Sequence, residues 1–334
     1  MTDLASLARI LERSTHLDDA AQQLGVGLRE LRAGLIAAGL PVEFVPLREL
    51  LIRRFPPPAP VHDPLSLLSE AARRHRPGPV NAPVALSLPQ QDSPYAVVFT
   101  GDWHIGETGT DHARLRRDTE TIAALKGEYG DGVRVIAMGD YIGGYMRSKT
   151  PGNNDQILTP TEQREAACGA LSLIRPDLVI QGDHDEWHTR QDDQHEWLHE
   201  LCVAEGLNYA QWGASVAFES PSWTMRLLAR HRFAGSRAAN PDLPHINLHT
   251  QWGAADLVAL AHVHSNPGIR TQRPKRQVDA PFLAVQSGTY KVFDSYAKKL
   301  GLGNGEYGVP VVLVNPQQAL ITPFQSLDDF TEAI

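Results

Sequence analysis

Five times along this chain, an apolar stretch of strand-like composition ends at an aspartate or a histidine. The first stretch, residues 95–100, reads Tyr-Ala-Val-Val-Phe-Thr and is followed by Gly101, Asp102 and His104. A run of β-branched and aromatic residues that stops at glycine and a polar residue predicts a buried strand with polar groups at its carboxyl end. Residues two apart in an extended chain point the same way, so Asp102 and His104 can bind one metal ion together.

The pattern returns at residues 133–138, 177–181, 225–230 and 256–261. Together the five ends offer eight candidate ligands, which are Asp102, His104, Asp140, Asp183, His184, His231, His262 and His264. Histidines that merely fill a core do not explain an ordered series with pairs two residues apart. Mixed imidazole and carboxylate favours Mn, Fe or Zn over Mg alone. Because the ligands outnumber those that one tetrahedral ion takes, we expect two divalent ions.

From residue 95 onward, strand-like and helix-like segments alternate, which predicts an α/β fold with a crevice at the carboxyl ends of its strands. The ordered motifs resemble those of the calcineurin-like metallophosphoesterases: Asp-x-His, Gly-Asp-x-x-Asp, Gly-Asn-His-Asp/Glu, a lone histidine and Gly-His-x-His. The resemblance covers residues 95–270. It implies a four-layer α/β/β/α sandwich, in which two mixed sheets are flanked by helices.

The resemblance also implies a role for each candidate residue. Seven of them would be metal ligands in two sets that share Asp140, with Asp102, His104 and His264 on one ion and Asp183, His231 and His262 on the other. His184 would stabilise or protonate the leaving oxygen of a phosphoester, and Asp185 would orient the His184 ring. The cofactors expected are two divalent metal ions, Mn before Fe, Zn, Ni or Mg.

Three positions depart from the family pattern. Gly143 stands where the second motif usually ends in aspartate, so a supporting carboxylate is missing there. Asp183 replaces the usual asparagine and changes the charge of the metal site, whereas Ala261 for glycine is a mild change. The lone-histidine position also has alternatives to His231, because His245 and His249 follow in the next segment.

A second pattern points to another class of enzyme. His195 and His199 flank Glu196 with the spacing of a zinc-protease helix, in which two histidines one turn apart bind the ion. Cys202 and Glu205 occupy positions where a metzincin has glycine and histidine. A five-part ordered series arises by accident far less easily than this short one, so we favour the phosphoesterase interpretation.

The first 55 residues predict a small all-α domain that resembles a helix-turn-helix unit, with its turn at residues 25–27. Its arginines, which include Arg29 and Arg32, could contact DNA. Trihelical units of this kind also join two copies of a chain, and the sequence leaves both roles open. Residues 56–93 predict a proline-rich linker with a short helix, and residues 94–334 the metallophosphoesterase domain.

Composition limits the remaining choices. The net charge of −8 argues against wholesale wrapping by nucleic acid. Two cysteines imply no disulfide framework. The sequence shows no signal peptide and no membrane-spanning apolar run, so we expect a cytoplasmic protein without a membrane partner.

We therefore expect dinuclear-metal-dependent hydrolysis of phosphoesters, by a phosphodiesterase or nuclease acting on DNA. The helical unit at the amino terminus tilts the choice toward DNA as the substrate. The alternative is a small-molecule phosphodiesterase or phosphatase acting on nucleotides. A DNA-binding regulator without activity is disfavoured, because the motif set is nearly complete.

Overall fold

The computed structural model describes residues 17–27, 29–31, 33, 83–90, 92–144, 156–191, 196–235, 240–273, 280–293 and 303–334. The chain divides into two compact units, residues 1–78 and residues 79–334. Most of the predicted amino-terminal helices and the linker up to residue 82 lie outside the described residues. What is described of the first unit is helix α1 (Leu17–Leu24), a turn at Gly25 with φ of 68°, and helical residues 29–31 and 33.

The second unit alternates strands and helices. Its strands are β1 (Val84–Pro89), β2 (Tyr95–Thr100), β3 (Val133–Ala137), β4 (Leu178–Ile180), β5 (Tyr209–Ala210), β6 (Ala214–Glu219), β7 (Thr224–Arg230), β8 (Leu257–Leu260), β9 (Gly268–Gln272), β10 (Phe282–Gln286), β11 (Val311–Asn315) and β12 (Leu320–Phe324). Its α-helices are α2 (His112–Tyr129), α3 (Pro160–Ile174), α4 (Asp183–Gln191), α5 (Trp197–Glu205), α6 (Leu243–Trp252) and α7 (Leu327–Ala333).

The strands form two six-stranded mixed sheets. The first sheet has the order β1-β6-β7-β8-β10-β9, and the second has the order β12-β11-β2-β3-β4-β5. In the second sheet β2, β3, β4 and β5 run parallel, so the polar residues that follow β2, β3 and β4 meet at one edge. In the first sheet β7 and β8 are parallel neighbours and present their carboxyl ends together. The predicted mixed α/β class is thereby confirmed.

Apolar side chains explain why these segments form strands. Val97 and Phe99 of β2 share one buried cluster with Val216 of β6 and Leu227 of β7, so side chains of both sheets pack together. A second cluster joins the other side chains of β2 and β3 to helices α2, α3, α5 and α7. A third packs α6 against β7, β8 and β10. Because several strands are buried on both faces, their sequences are continuously apolar and do not alternate.

Strand β1 lies inside the range 56–93 that the sequence analysis assigned to a linker. It pairs in parallel with β6 from Val84–Ala214 to Pro89–Glu219. Val84, Leu86 and Leu88 alternate as in a strand, but only Leu88 is buried, so few of its side chains contribute to a core. Backbone pairing with a distant strand holds it in the first sheet.

Helix α2 is amphipathic and carries Leu115, Ile122 and Leu125 on its buried face. Among the helices that the structure describes, none combines the length and the apolar composition that crossing a bilayer requires.

A buried carboxylate ties β3 to the segment before β4. Asp177 accepts hydrogen bonds from the Val135 backbone N–H at 2.8 Å, from Arg134 Nη1 at 2.8 Å and from Lys126 Nζ at 3.2 Å. We expect Asp177→Ala to lower the free energy of unfolding by about 2 kcal/mol, because it leaves three donors without this acceptor. Urea denaturation followed by circular dichroism measures the change.

Asp131→Ala is the matched control for this prediction. Asp131 also pairs with Arg134, at 3.2 Å, but its side chain is 88% exposed. An exposed ion pair contributes about 0–1 kcal/mol. Equal losses in the two variants would contradict the role assigned to Asp177.

Candidate metal centre

Three predicted ligands meet where β2 ends. Asp102, His104 and His264 each bring one ligand atom to within 4.8 Å of the others. The Nε2 atoms of His104 and His264 face each other at 3.1 Å, and His264 Nε2 lies 3.4 Å from Asp102 Oδ1. The Asp102 side chain is fully buried and its Oδ2 accepts the backbone N–H of His262 at 2.8 Å. This hydrogen bond joins the end of β2 to the loop after β8.

In a second group, the ligand atoms of Asp140, His231 and His262 also lie within 4.8 Å of one another. His231 directly follows β7, and its Nδ1 donates to the carbonyl oxygen of Met138 at 2.7 Å. This contact directs Nε2 toward the carboxylate of Asp140, with Nε2 3.1 Å from Oδ2. A histidine whose second ring nitrogen donates to a backbone carbonyl is the arrangement that orients metal ligands.

Asp140 lies between the two groups. Its Oδ2 is 3.1 Å from His231 Nε2 and 3.9 Å from His104 Nε2. Its Oδ1 accepts the backbone N–H of His184 at 2.8 Å. Its carboxylate therefore faces ring nitrogens of both groups.

The donor set fits divalent cations. Asp102 Oδ1 and His262 Nδ1 are buried and form no hydrogen bond within the part of the chain that the structure describes. Buried polar atoms are normally satisfied, so such atoms need a partner of another kind. Both belong to the groups of carboxylate oxygens and imidazole nitrogens described above, which Mn, Fe and Zn accept as ligands.

Asp183 lies at the edge of the second group. Its Oδ2 is 3.7 Å from His262 Nδ1 and 2.7 Å from Arg232 Nη1. The carboxylate of Asp183 therefore lies beside the positive charge of the Arg232 guanidinium. Asparagine, the residue expected from the family pattern, could not form this ion pair.

The partners that the structure gives for His184 and Asp185 lie in the segments after β3 and β4. His184 Nδ1 donates to the carbonyl oxygen of Gly143 at 2.5 Å, so this carbonyl orients the ring. The carboxylate of Asp185 accepts the backbone N–H groups of Asp140 and Gly182 at 2.9 Å and of Tyr141 at 3.1 Å. These contacts hold the loop that carries Asp140, and the role of Asp185 in orienting His184 stays a prediction.

The backbone is strained at four of the predicted ligands. Asp102, His104, Asp140 and His262 have φ values of 49°, 48°, 55° and 67°. This left-handed region is uncommon for residues other than glycine, and each such residue costs about 1–3 kcal/mol. Strain of this kind persists where the surrounding fold imposes it and is concentrated at functional sites.

Glu107 belongs to the site but was missed by the sequence analysis. Its Oε1 accepts from His104 Nδ1 at 3.2 Å, and its Oε2 pairs with Lys291 Nζ at 2.5 Å. A Cβ on Gly143 would overlap Cγ of Glu107 and lie 3.1 Å from its Oε1. Glu107 therefore occupies the space of the carboxylate that the sequence appeared to lack at position 143. A glutamate three residues after the first-motif histidine was the available signal.

The charge states of the two groups differ. Burial lowers the pKa of His104 to about 4, although Glu107 acts in the opposite direction. Burial alone would lower the pKa of His231, but the carboxylates of Asp140 and Asp102 raise it to about 10. Burial would raise the pKa of Asp140, but His231 and His184 hold it well below its ordinary value. His104 thus offers an unprotonated Nε2, and a metal ion would have to displace a proton from His231.

The structure separates His231 from the alternatives to it. His245 Nε2 donates to the carbonyl oxygen of Val285 at 3.0 Å, and His249 stacks on Phe282 with ring centroids 4.5 Å apart. Both lie on α6, and of the three histidines only His231 belongs to a ligand group described above.

The rival protease pattern lies partly outside the described residues, because His195 is not among them. Glu196 and His199 are described, and both side chains are about half exposed. The His199 ring contacts the Tyr209 ring at a tilt of 49°, with ring centroids 5.2 Å apart.

Neither a protein-family model nor a curated protein matches this chain. The chemistry of the converging side chains and the positions of the strands that carry them therefore have to support any proposal.

A first prediction for the site concerns Gly182, which follows β4 and lies close to Asp140, which follows β3. A Cβ on Gly182 would overlap both the backbone nitrogen and Oδ1 of Asp140. We expect Gly182→Ala to displace Asp140 and to weaken Mn binding about tenfold or more. Isothermal titration of metal-stripped protein measures the affinity.

Gly127→Ala is the control, since a Cβ on this exposed glycine of α2 meets no atom within 4 Å. Alanine is also the better helix former there. Unchanged Mn affinity in a folded Gly182→Ala protein would refute the role given to this contact.

A second prediction concerns Glu107. Replacing it with glutamine keeps its volume but removes the charge that favours the donating Nδ1–H of His104. We expect Glu107→Gln to weaken Mn binding about 10- to 100-fold, as for other groups that orient metal-binding histidines. Glu165→Gln on the exposed face of α3 is the control. Wild-type affinity in Glu107→Gln would show that the glutamate only fills space.

Proposed function

We propose that this chain is a metal-dependent phosphoesterase that hydrolyses phosphodiesters, with DNA as its substrate. The observation that carries the proposal is the shared position of Asp140 between two groups of ligands. A pair of cations held side by side is suited to clamp the attacking and leaving oxygens of a phosphoryl transfer. A protease with one zinc ion would not need the second group.

Asp102, His104 and His264 would hold one cation, and His231 and His262 the other, with Asp140 between them. Two divalent ions there, Mn before Fe, Zn, Ni or Mg, supply Lewis-acid activation of the phosphoryl group and of water. Asp183 joins the second set through its contact with His262. Glu107 accepts the Nδ1–H of His104 and thereby keeps Nε2 of that ring unprotonated.

In this proposal, His184 acts on the leaving group. Its ring lies 4.6 Å from the His104 ring, and its side chain is 20% exposed, so substrate can reach it. The bond from Nδ1 to the Gly143 carbonyl leaves Nε2 to exchange a proton with the leaving oxygen. Asp185 keeps the neighbouring backbone in place and contributes indirectly.

The finer arrangement of the fold is also part of the proposal. Three apolar clusters, one shared by the two sheets and one on the helix-covered face of each sheet, support a four-layer α/β/β/α sandwich. In the first unit, Ala20, Ala21 and Leu31 are buried on both sides of the turn at Gly25. This agrees with a small all-α domain that resembles a helix-turn-helix unit.

DNA is favoured over small nucleotides by this first unit. Arg29 is exposed on the helical segment after the turn, where a recognition helix would present it to DNA. Arg32, Arg48, Arg53 and Arg54 lie outside the described residues. The alternatives are a small-molecule nucleotide phosphodiesterase or phosphatase, and helices that join two copies of the chain.

The proposal predicts that metal and activity are lost together when Asp140 is changed. Metal-stripped protein, reloaded with Mn, should hydrolyse bis-p-nitrophenyl phosphate and end-labelled DNA. Asp140→Asn should lower both the bound Mn, measured by mass spectrometry, and both activities, by about 100-fold or more. The exposed Asp131→Asn is the control.

Reloaded wild-type protein that cleaves neither substrate would refute the proposed function. Hydrolysis of the small diester without hydrolysis of DNA would support the small-molecule alternative. Full Mn content in Asp140→Asn would overturn the bridging assignment.

A further inference from the structure

A cavity of about 670 Å³ borders the second ligand group. His262 belongs to that group and also lines the cavity, together with Arg230, Arg232, Phe233 and Val263. We call this cavity the arginine pocket. Its volume falls in the range of sites that hold a nucleotide-sized ligand.

The charge of the arginine pocket favours an anion. Arg230 and Arg232 are the only residues with a fixed charge among the described residues that line it, and no carboxylate lines it. Asp183 faces Arg232 from outside the lining, at 2.7 Å. A guanidinium has five N–H donors, so Arg232 retains donors after this contact.

Arg230 has a buried donor atom, Nη1, that has no hydrogen-bond partner within the described residues. Its guanidinium carbon lies 5.3 Å from the Phe233 ring centre and 5.5 Å from that of Trp252, so aromatic rings hold it in place. A buried charged donor without a partner is costly, and a phosphate oxygen would satisfy it.

Another cavity does not compete for this role. It has a volume of about 1000 Å³ and lies where β2 and β3 begin, around Tyr95 and Val133. Asp131 lines it together with Arg134, so its charge is mixed. None of the residues of the ligand groups lines it.

We propose that the arginine pocket binds a second phosphate group of the substrate, next to the phosphoester that is hydrolysed. The inference rests on the proposed function and narrows its substrate to molecules with neighbouring phosphates. Both a nucleic-acid strand and a nucleoside diphosphate have this chemistry. A lone phosphodiester such as bis-p-nitrophenyl phosphate lacks it.

Two substrates that differ only in the second phosphate test the inference. The p-nitrophenyl ester of thymidine 5′-phosphate is compared with the same ester carrying a 3′-phosphate. We expect the Mn-reloaded wild type to favour the 3′-phosphorylated ester by about tenfold or more in kcat/KM, since a charge-assisted contact has that strength. The ratio cancels any effect that a variant has on the metal centre itself.

Arg230→Gln and Arg232→Gln should each bring this ratio toward one. Arg226→Gln is the control, because Arg226 lies on the same strand with an exposed side chain. Two separate variants keep the test valid if one of them fails to fold. A wild-type ratio near one, or the same ratio in both folded variants as in the wild type, would overturn the inference.

Binding to metal-free protein separates the inference from the proposed function. Thymidine 3′,5′-bisphosphate should bind about tenfold more tightly than thymidine 5′-phosphate in calorimetry, and both arginine variants should lose this preference. If this holds while the reloaded protein hydrolyses nothing, the pocket is supported and the function fails. If hydrolysis occurs with neither the kinetic nor the binding preference, the pocket fails and the function remains.

Competition identifies the source of the second phosphate. A thymidine dinucleotide with a 5′-phosphate and thymidine 5′-diphosphate are each tested as inhibitors of the 3′-phosphorylated ester. Inhibition by the dinucleotide that depends on Arg230 would assign the phosphate to a nucleic-acid strand. The same dependence for the diphosphate alone would assign it to a free nucleotide, and dependence for neither would overturn the inference.

Discussion

The carboxylate of Asp140 is almost completely buried, and the placement of three strand ends depends on compensating its charge. A buried charge without partners costs several kcal/mol. Here the backbone N–H of His184 and the ring of His231 supply the partners, from the segments after β4 and β7. The carboxylate of Asp185 accepts the backbone N–H of Asp140 itself. Any shift of one strand end would leave this charge less compensated.

The same region imposes left-handed backbone on four candidate ligands, and the buried strands that precede them offset the cost of this conformation. Val97, Val98 and Phe99 of β2 are fully buried, as are Val135 and Ile136 of β3. Each large buried side chain contributes about 1.5–3 kcal/mol, which is comparable with the strain at one ligand. The buried strands therefore fix the positions of their own ends. The polar residues that follow adopt the left-handed conformation that these positions require.

The sequence predicted where the strands before the site end, because a buried strand is a continuous apolar run and its end is marked by glycine and a polar residue. The structure brings six of the predicted ligands together in two groups, and their binding of metal stays a prediction. Three features were missed by this pattern. Glu107 fills the space beside Gly143 only after the chain folds. Arg232 meets Asp183 across two sheets, and β1 depends on pairing with β6 more than on its own side chains. All three are long-range contacts, and only Glu107 carried a local signal, its place three residues after His104.

The pairing of β1 with β6 has a consequence for synthesis. Residues 84–89 leave the ribosome long before residues 214–219, which complete their neighbour in the first sheet. At about 5–20 residues per second, β1 waits on the order of ten seconds with an unpaired edge. Such an edge is a template for wrong partners. Pro89 at the end of β1 has no backbone N–H to offer, and this limits the edge that β1 presents to wrong partners during the interval.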